Sequence, residues 1–122
     1  MELMNSVTKE NLLRAFAGES QARNRYTFAA AAARKQGLPV VEALFLYTAG
    51  QEKEHGEIFY NHLKQAGCES VTITGAGYPV DLTEDPAKLL ELAANHELEE
   101  YGDIYPAFAE KAEEEGFAAV AR

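Results

Sequence analysis

The sequence predicts an all-α fold: a four-helix bundle with one long crossover after the second helix, in which this chain supplies three full helices and another chain completes the bundle. Three observations lead there. Runs rich in Ala, Leu, Glu and Arg are bounded by glycine stops and proline starts. One connection is far longer than the others. Each helical run carries an apolar stripe that is broken near its middle by acid.

The first helix is expected over about residues 8–36, where strong helix formers dominate and Gly37 supplies a left-handed stop. Pro39 suits the first turn of the next helix, because its φ is already helical and its missing N–H has no partner to lose there. That second helix runs to about residue 66, before Gly67. Asp85 and Pro86 pair an N-cap with a first-turn proline, opening a third helix over about 86–115 that ends at Gly116. Pro106 lies inside it and removes the hydrogen bond to the Gly102 carbonyl, so a kink is expected there. Residues 117–122 read as the start of a further helix.

Between the second and third helices, about residues 67–85 contain Gly75, Gly77 and Pro79 and a β-like run, Val71-Thr72-Ile73-Thr74. A helix of roughly 27 residues is about 40 Å long, and an extended segment of this size reaches roughly 55 Å, so the connection can travel the length of a bundle. Bundles with one such crossover form the ferritin-like class.

With 122 residues, 47% hydrophobic and 25% charged, the chain fits a single folded domain. Its formal net charge of -9 disfavours nucleic acid and anionic membrane surfaces and favours cations as ligands. The one cysteine, Cys68, excludes an intrachain disulfide framework and reads as an ordinary thiol. Neither a signal peptide nor a spanning segment is evident, and a cytoplasmic location is expected.

The stripes locate the chemistry. Leu12, Ala15, Glu19, Ala22, Tyr26, Ala29 and Ala33 share one face of the first helix. Val41, Phe45, Thr48, Glu52, His55, Phe59 and Leu63 share one face of the second, and Leu90, Ala93, Glu97, Glu100, Ile104 and Phe108 one face of the third. Buried carboxylates repel one another and require positive charge. Arg23 or Arg25 can pair with Glu19, and a solvated face explains Glu97 and Glu100 singly, but divalent metal suits all of them together. Glu52-x-x-His55 puts a carboxylate and an imidazole one turn apart, the arrangement that di-iron carboxylate bundles use. Tyr26 and Tyr105 fall on the same faces, where their hydroxyls can orient ligand carboxylates. His62 and His96 are placed outside the site.

The segment Glu10 to Phe28, with Glu19-Ser20-Gln21-Ala22-Arg23-Asn24-Arg25-Tyr26 at its centre, closely resembles the first helix of rubrerythrins. Similarity continues through Gln51-Glu52-Lys53-Glu54-His55, through Glu97 to Pro106, and through Ala112 to Phe117. This resemblance implies a non-haem di-iron protein that reduces hydrogen peroxide to water in defence against oxidative stress. It implies two iron ions as cofactor, for which zinc or manganese can substitute. By the same resemblance Glu19 is a terminal ligand of the first iron, Glu52 a bridge, and Glu97 a ligand of the second, while His55 and Glu100 alternate on the first.

Two parts of the family pattern are missing. The fourth helix, with a second Glu-x-x-His, is due where the sequence stops at Arg122, and a single cysteine cannot build a rubredoxin domain. An external, rubredoxin-like electron donor is therefore expected. Three readings stay open for the helix: the chain is a fragment, another polypeptide supplies it, or two copies exchange helices. A lone monomer would expose its apolar stripes, so a homodimer or helix-swapped oligomer is expected. Ferritin-like iron oxidation or storage, and a non-catalytic helical assembly fragment, are the competing functions.

Overall fold

The computed structural model describes residues 2–67, 69–75 and 80–121, and of Tyr101 the backbone alone. The expectations for Cys68, Gly77, Pro79 and Arg122 lie outside the described residues. Helix α1 spans Val7–Lys35 and α2 Pro39–Leu63, the latter followed by a single 3₁₀ turn, Lys64–Ala66. After the crossover come α3, Pro86–Glu99, a π-helical turn, Glu100–Ile104, α4, Tyr105–Glu114, and the short α5, Ala118–Ala121. No strand occurs among the described residues. The fold is an all-α, ferritin-like bundle. Val71–Thr74, β-like in sequence, has no ladder partner and is irregular.

Local chemistry accounts for the boundaries. Ser6 caps α1 by accepting from the Lys9 amide, and Asp85 caps α3 by accepting from the Ala87 amide. Gly37, at φ 73°, turns α1 into α2, a conformation that costs a residue with a Cβ about 1 kcal/mol or more. In place of a simple kink, the missing Pro106 donor is absorbed by a wider turn, in which the Tyr105 amide donates to the Glu100 carbonyl.

Helices α1 and α2 form an antiparallel pair: Phe16 meets Tyr60 at one end and Tyr26 stacks on Phe45 at the other. Small side chains let the backbones approach, and Ala22, Tyr26, Ala29, Ala30, Phe45 and Ala49 make the core. Leu89, Leu90 and Ala93 of α3 pack on this cluster while staying partly exposed. Between α2 and α3 the surface stays open, with Leu44, Ile58 and Leu98 about half exposed or more. Among the described residues no helix is long and apolar enough to cross a membrane.

Glu115, in the turn after α4, reaches back to the start of α1. Its carboxylate accepts from the amides of Val7 at 3.1 Å and Thr8 at 2.7 Å and from the Thr8 hydroxyl. These bonds satisfy first-turn donors that α1 cannot satisfy itself, and the negative charge complements the helix dipole. The Thr8 hydroxyl is the main reason that the Glu115 carboxyl sits below its ordinary value. A lowered folded value means stability that is present above the unfolded value and lost as pH falls through the folded one. We therefore expect Glu115→Ala to melt below the parent near neutrality, with the gap closing on acidification through the carboxylate range. Thermal unfolding followed by circular dichroism across that range checks this.

Candidate metal centre

The α1–α2 pair brings three ligating side chains together. Glu19 is only 2% exposed and Glu52 3%, while His55 is partly open to solvent. One potential ligand atom from each lies within 4.8 Å of the others. His55 Nδ1 stands 3.7 Å from Glu19 Oε2 and 4.0 Å from Glu52 Oε2. The i, i+3 spacing puts Glu52 and His55 on one side of α2. One residue further, Gly56 faces α1 directly: a Cβ there would meet the Glu19 Cβ in ordinary van der Waals contact at 3.7 Å.

Glu19 is asymmetrically satisfied. Its Oε1 accepts a 2.6 Å hydrogen bond from the Tyr105 hydroxyl, whereas the buried Oε2 has no hydrogen-bond partner among the described residues. Burial raises the Glu19 carboxyl above its ordinary value, while the Tyr105 bond and His55 oppose the rise and Glu97 adds to it. A carboxylate with one oriented and one unpaired oxygen, facing a second carboxylate and an imidazole nitrogen, is a donor set that a divalent transition metal satisfies. The residues present thus fit a metal.

Glu97 and Glu100 approach from the third side. With Glu19, His55, His62 and Tyr105 they line a cleft of about 220 Å³. Glu97 also borders a neighbouring cleft of about 360 Å³ against Glu52 and Gln51. Burial pushes the Glu100 carboxyl up to about 7, and the charges of Glu19 and Glu97 push in the same direction. Neither Glu97 nor Glu100 belongs to the close group of Glu19, Glu52 and His55.

The two tyrosines behave differently. Tyr105 makes the expected bond to a ligand carboxylate. No such bond is seen for Tyr26, which stacks on Phe45 and whose hydroxyl is pushed up to about 12 by burial and then by Glu97. Its hydroxyl therefore stays protonated without orienting a ligand among the described residues. Arg25 pairs with Asp81 in the crossover, not with Glu19. His62, placed outside the site from sequence, lines the cleft and keeps a buried, unpartnered Nδ1. Its position one heptad beyond His55 was the available signal.

The metal-free chain has a definite pH response. A Glu100 value raised from 4.5 to about 7 means that the folded chain holds a proton the unfolded chain has lost. Stability should consequently fall as pH rises through that window and level off above it. Chemical denaturation of metal-free protein at several pH values checks this, and Glu100→Gln should flatten the decline.

Comparison with known proteins follows the same line. The rubrerythrin family model matches residues 10–122. Rubrerythrin-1 of Clostridium acetobutylicum is 48% identical over 120 residues, covering 98% of this chain and 61% of its own. The rubrerythrin of Porphyromonas gingivalis is 47% identical, covering 98% of this chain and 58% of its own. That of Nitratidesulfovibrio vulgaris is 40% identical, covering 98% of this chain and 61% of its own. The chain thus spans about three-fifths of the length of these relatives. It belongs to the rubrerythrin family.

Proposed function

We propose that this chain provides one side of a di-iron centre that reduces hydrogen peroxide to water in the cytoplasm, with electrons from an external, rubredoxin-type donor. The reading is carried by Glu19 Oε2, a buried and unpaired carboxylate oxygen beside Glu52 and the His55 imidazole. Iron held there would supply the electrons that cleave the O–O bond. Glu19, Glu52 and His55 would hold the first metal, Glu97 would serve a second, and Glu100 would exchange with His55.

The chain's own groups do the remaining work. Tyr105 holds Glu19 in one orientation by its 2.6 Å bond, so the free oxygen points toward His55 rather than rotating. Reduction of one peroxide to two waters consumes two protons and two electrons. In the metal-free chain the Glu100 carboxyl sits at about 7 at the edge of the cleft, so a cation loaded there would displace its proton. The open surface along Leu44, Ile58 and Leu98 fits a further helix, which would bring the outstanding ligands from a second copy in a homodimer or helix-swapped oligomer, or from the rest of a longer protein.

The test is anaerobic loading with ferrous iron followed by peroxide turnover with reduced rubredoxin as donor. The parent should consume peroxide, and Glu52→Ala should lose both iron and turnover. Peroxide consumption no faster in the parent than in Glu52→Ala would overturn the assignment. Uptake of many irons per chain without turnover would point to storage instead. Tyr105→Phe should keep its fold but bind ferrous iron about tenfold or more weakly, the usual scale for losing a partner that orients a ligand.

A further inference from the structure

Glu97 and Glu100 reach the centre on α3 and the π turn, yet little apolar contact fixes them there. Pro86 is the one fully buried residue of α3. Leu89, Leu90 and Ala93, which meet the core, all precede the acids. Past the π turn Tyr105 holds on to Glu19 and to the Phe59 ring, whereas between Ala93 and that turn a polar tie from α3 back to α1 runs through the crossover. Asp81 Oδ2 accepts from Arg25 Nη1 of α1 at 3.0 Å and lies 3.1 Å from His96 Nε2 of α3. All three side chains are largely shielded, at 12% exposure for Asp81, 14% for Arg25 and 19% for His96.

Arg25 is itself immobilised. Its Nε donates to Gln21 Oε1 at 2.6 Å, and its guanidinium lies 5.6 Å from the centre of the Tyr26 ring. His96 immediately precedes Glu97, so fixing its ring fixes the backbone from which Glu97 projects and the point where the π turn begins at Glu100. Charge-assisted bonds converging on one shielded oxygen are strong, and removing that oxygen leaves two donors unpaired.

We propose that Asp81 is a positioning residue: one carboxylate oxygen in the crossover ties α1 to α3 and thereby holds Glu97 and Glu100 at the Glu19 side of the centre. The proposal rests on the metal-binding reading above and extends it to a residue outside the ligand set. Glu19, Glu52 and His55 stand on the α1–α2 pair and do not depend on this tie.

Cobalt(II) titration of the whole chain, read by visible absorption, tests it with Asp81→Ala, Asp81→Asn, His96→Phe and Glu52→Ala beside the parent. Asparagine keeps a carbonyl oxygen able to accept both bonds. Asp81→Ala should weaken cobalt binding about tenfold or more and alter its spectrum, while Asp81→Asn stays within about threefold of the parent. Amide exchange should quicken in α3 and the π turn and stay unchanged in α1 and α2. His96→Phe, which cuts one arm and spares the Arg25 pair, should reproduce the altered spectrum, and it decides the matter if Asp81→Ala does not fold.

Parent-like binding and spectrum in Asp81→Ala or His96→Phe would overturn the proposal. So would equal loss in the alanine and asparagine variants, or faster exchange throughout α1 and α2. Cobalt binding unaffected by Glu52→Ala would overturn the metal centre itself, and this inference with it.

Discussion

The arrangement depends on a buried carboxylate that meets a hydroxyl donor at one oxygen and the His55 imidazole, 3.7 Å away, at the other. Glu19 is almost wholly withdrawn from water and its Oε2 has no donor, a state that costs several kcal/mol in an apolar helix interface unless the group is neutralised. Tyr105 and His55 relieve part of this demand, and the neighbouring acids add to it. Glu97 raises the Glu19 carboxyl further, and Glu19 and Glu97 together raise Glu100. Protonation relieves these groups in part and a cation would satisfy them together, so affinity for metal and stability of the fold are coupled here.

Two mechanical parts hold this cluster. Helices α1 and α2 pack closely through alanines and stacked aromatic rings and carry the close group of ligands rigidly. Helix α3 and the π turn lie against that pair more loosely, and they carry Glu97 and Glu100, the latter with its carboxyl pushed up to about 7. This division lets one set of acids shift without unpacking the other. Tyr105 bridges the parts: it follows directly on the π turn and bonds Glu19 on α1.

Much of this was legible from residue spacing. The stripe through Leu12, Ala15, Glu19, Ala22, Tyr26, Ala29 and Ala33 is buried throughout, because three- and four-residue steps determine which side of a helix faces a neighbour. Caps and stops at Gly37, Asp85 and Gly116 follow local chemistry and fall where helices begin or end. Individual roles for Glu97 and Glu100 came from family resemblance, since acids on a half-exposed helix carry no distinguishing pattern. The π turn was not legible. Pro106 announces a lost hydrogen bond, but whether a helix bends or widens depends on what packs against it. Asp81 was hidden for another reason: a loop acid has no periodicity, and its partners are 56 residues away at Arg25 and 15 away at His96.

The most direct measurement is a crystal structure of the protein loaded anaerobically with ferrous iron, with the metal located by its anomalous scattering. The account predicts a peak about 2.0–2.2 Å from Glu19 Oε2, an oxygen of Glu52 and a ring nitrogen of His55, with the Tyr105 bond to Glu19 retained. Iron bound elsewhere, or Glu19 Oε2 satisfied by a protein or water donor while those three side chains stay without metal, would contradict it.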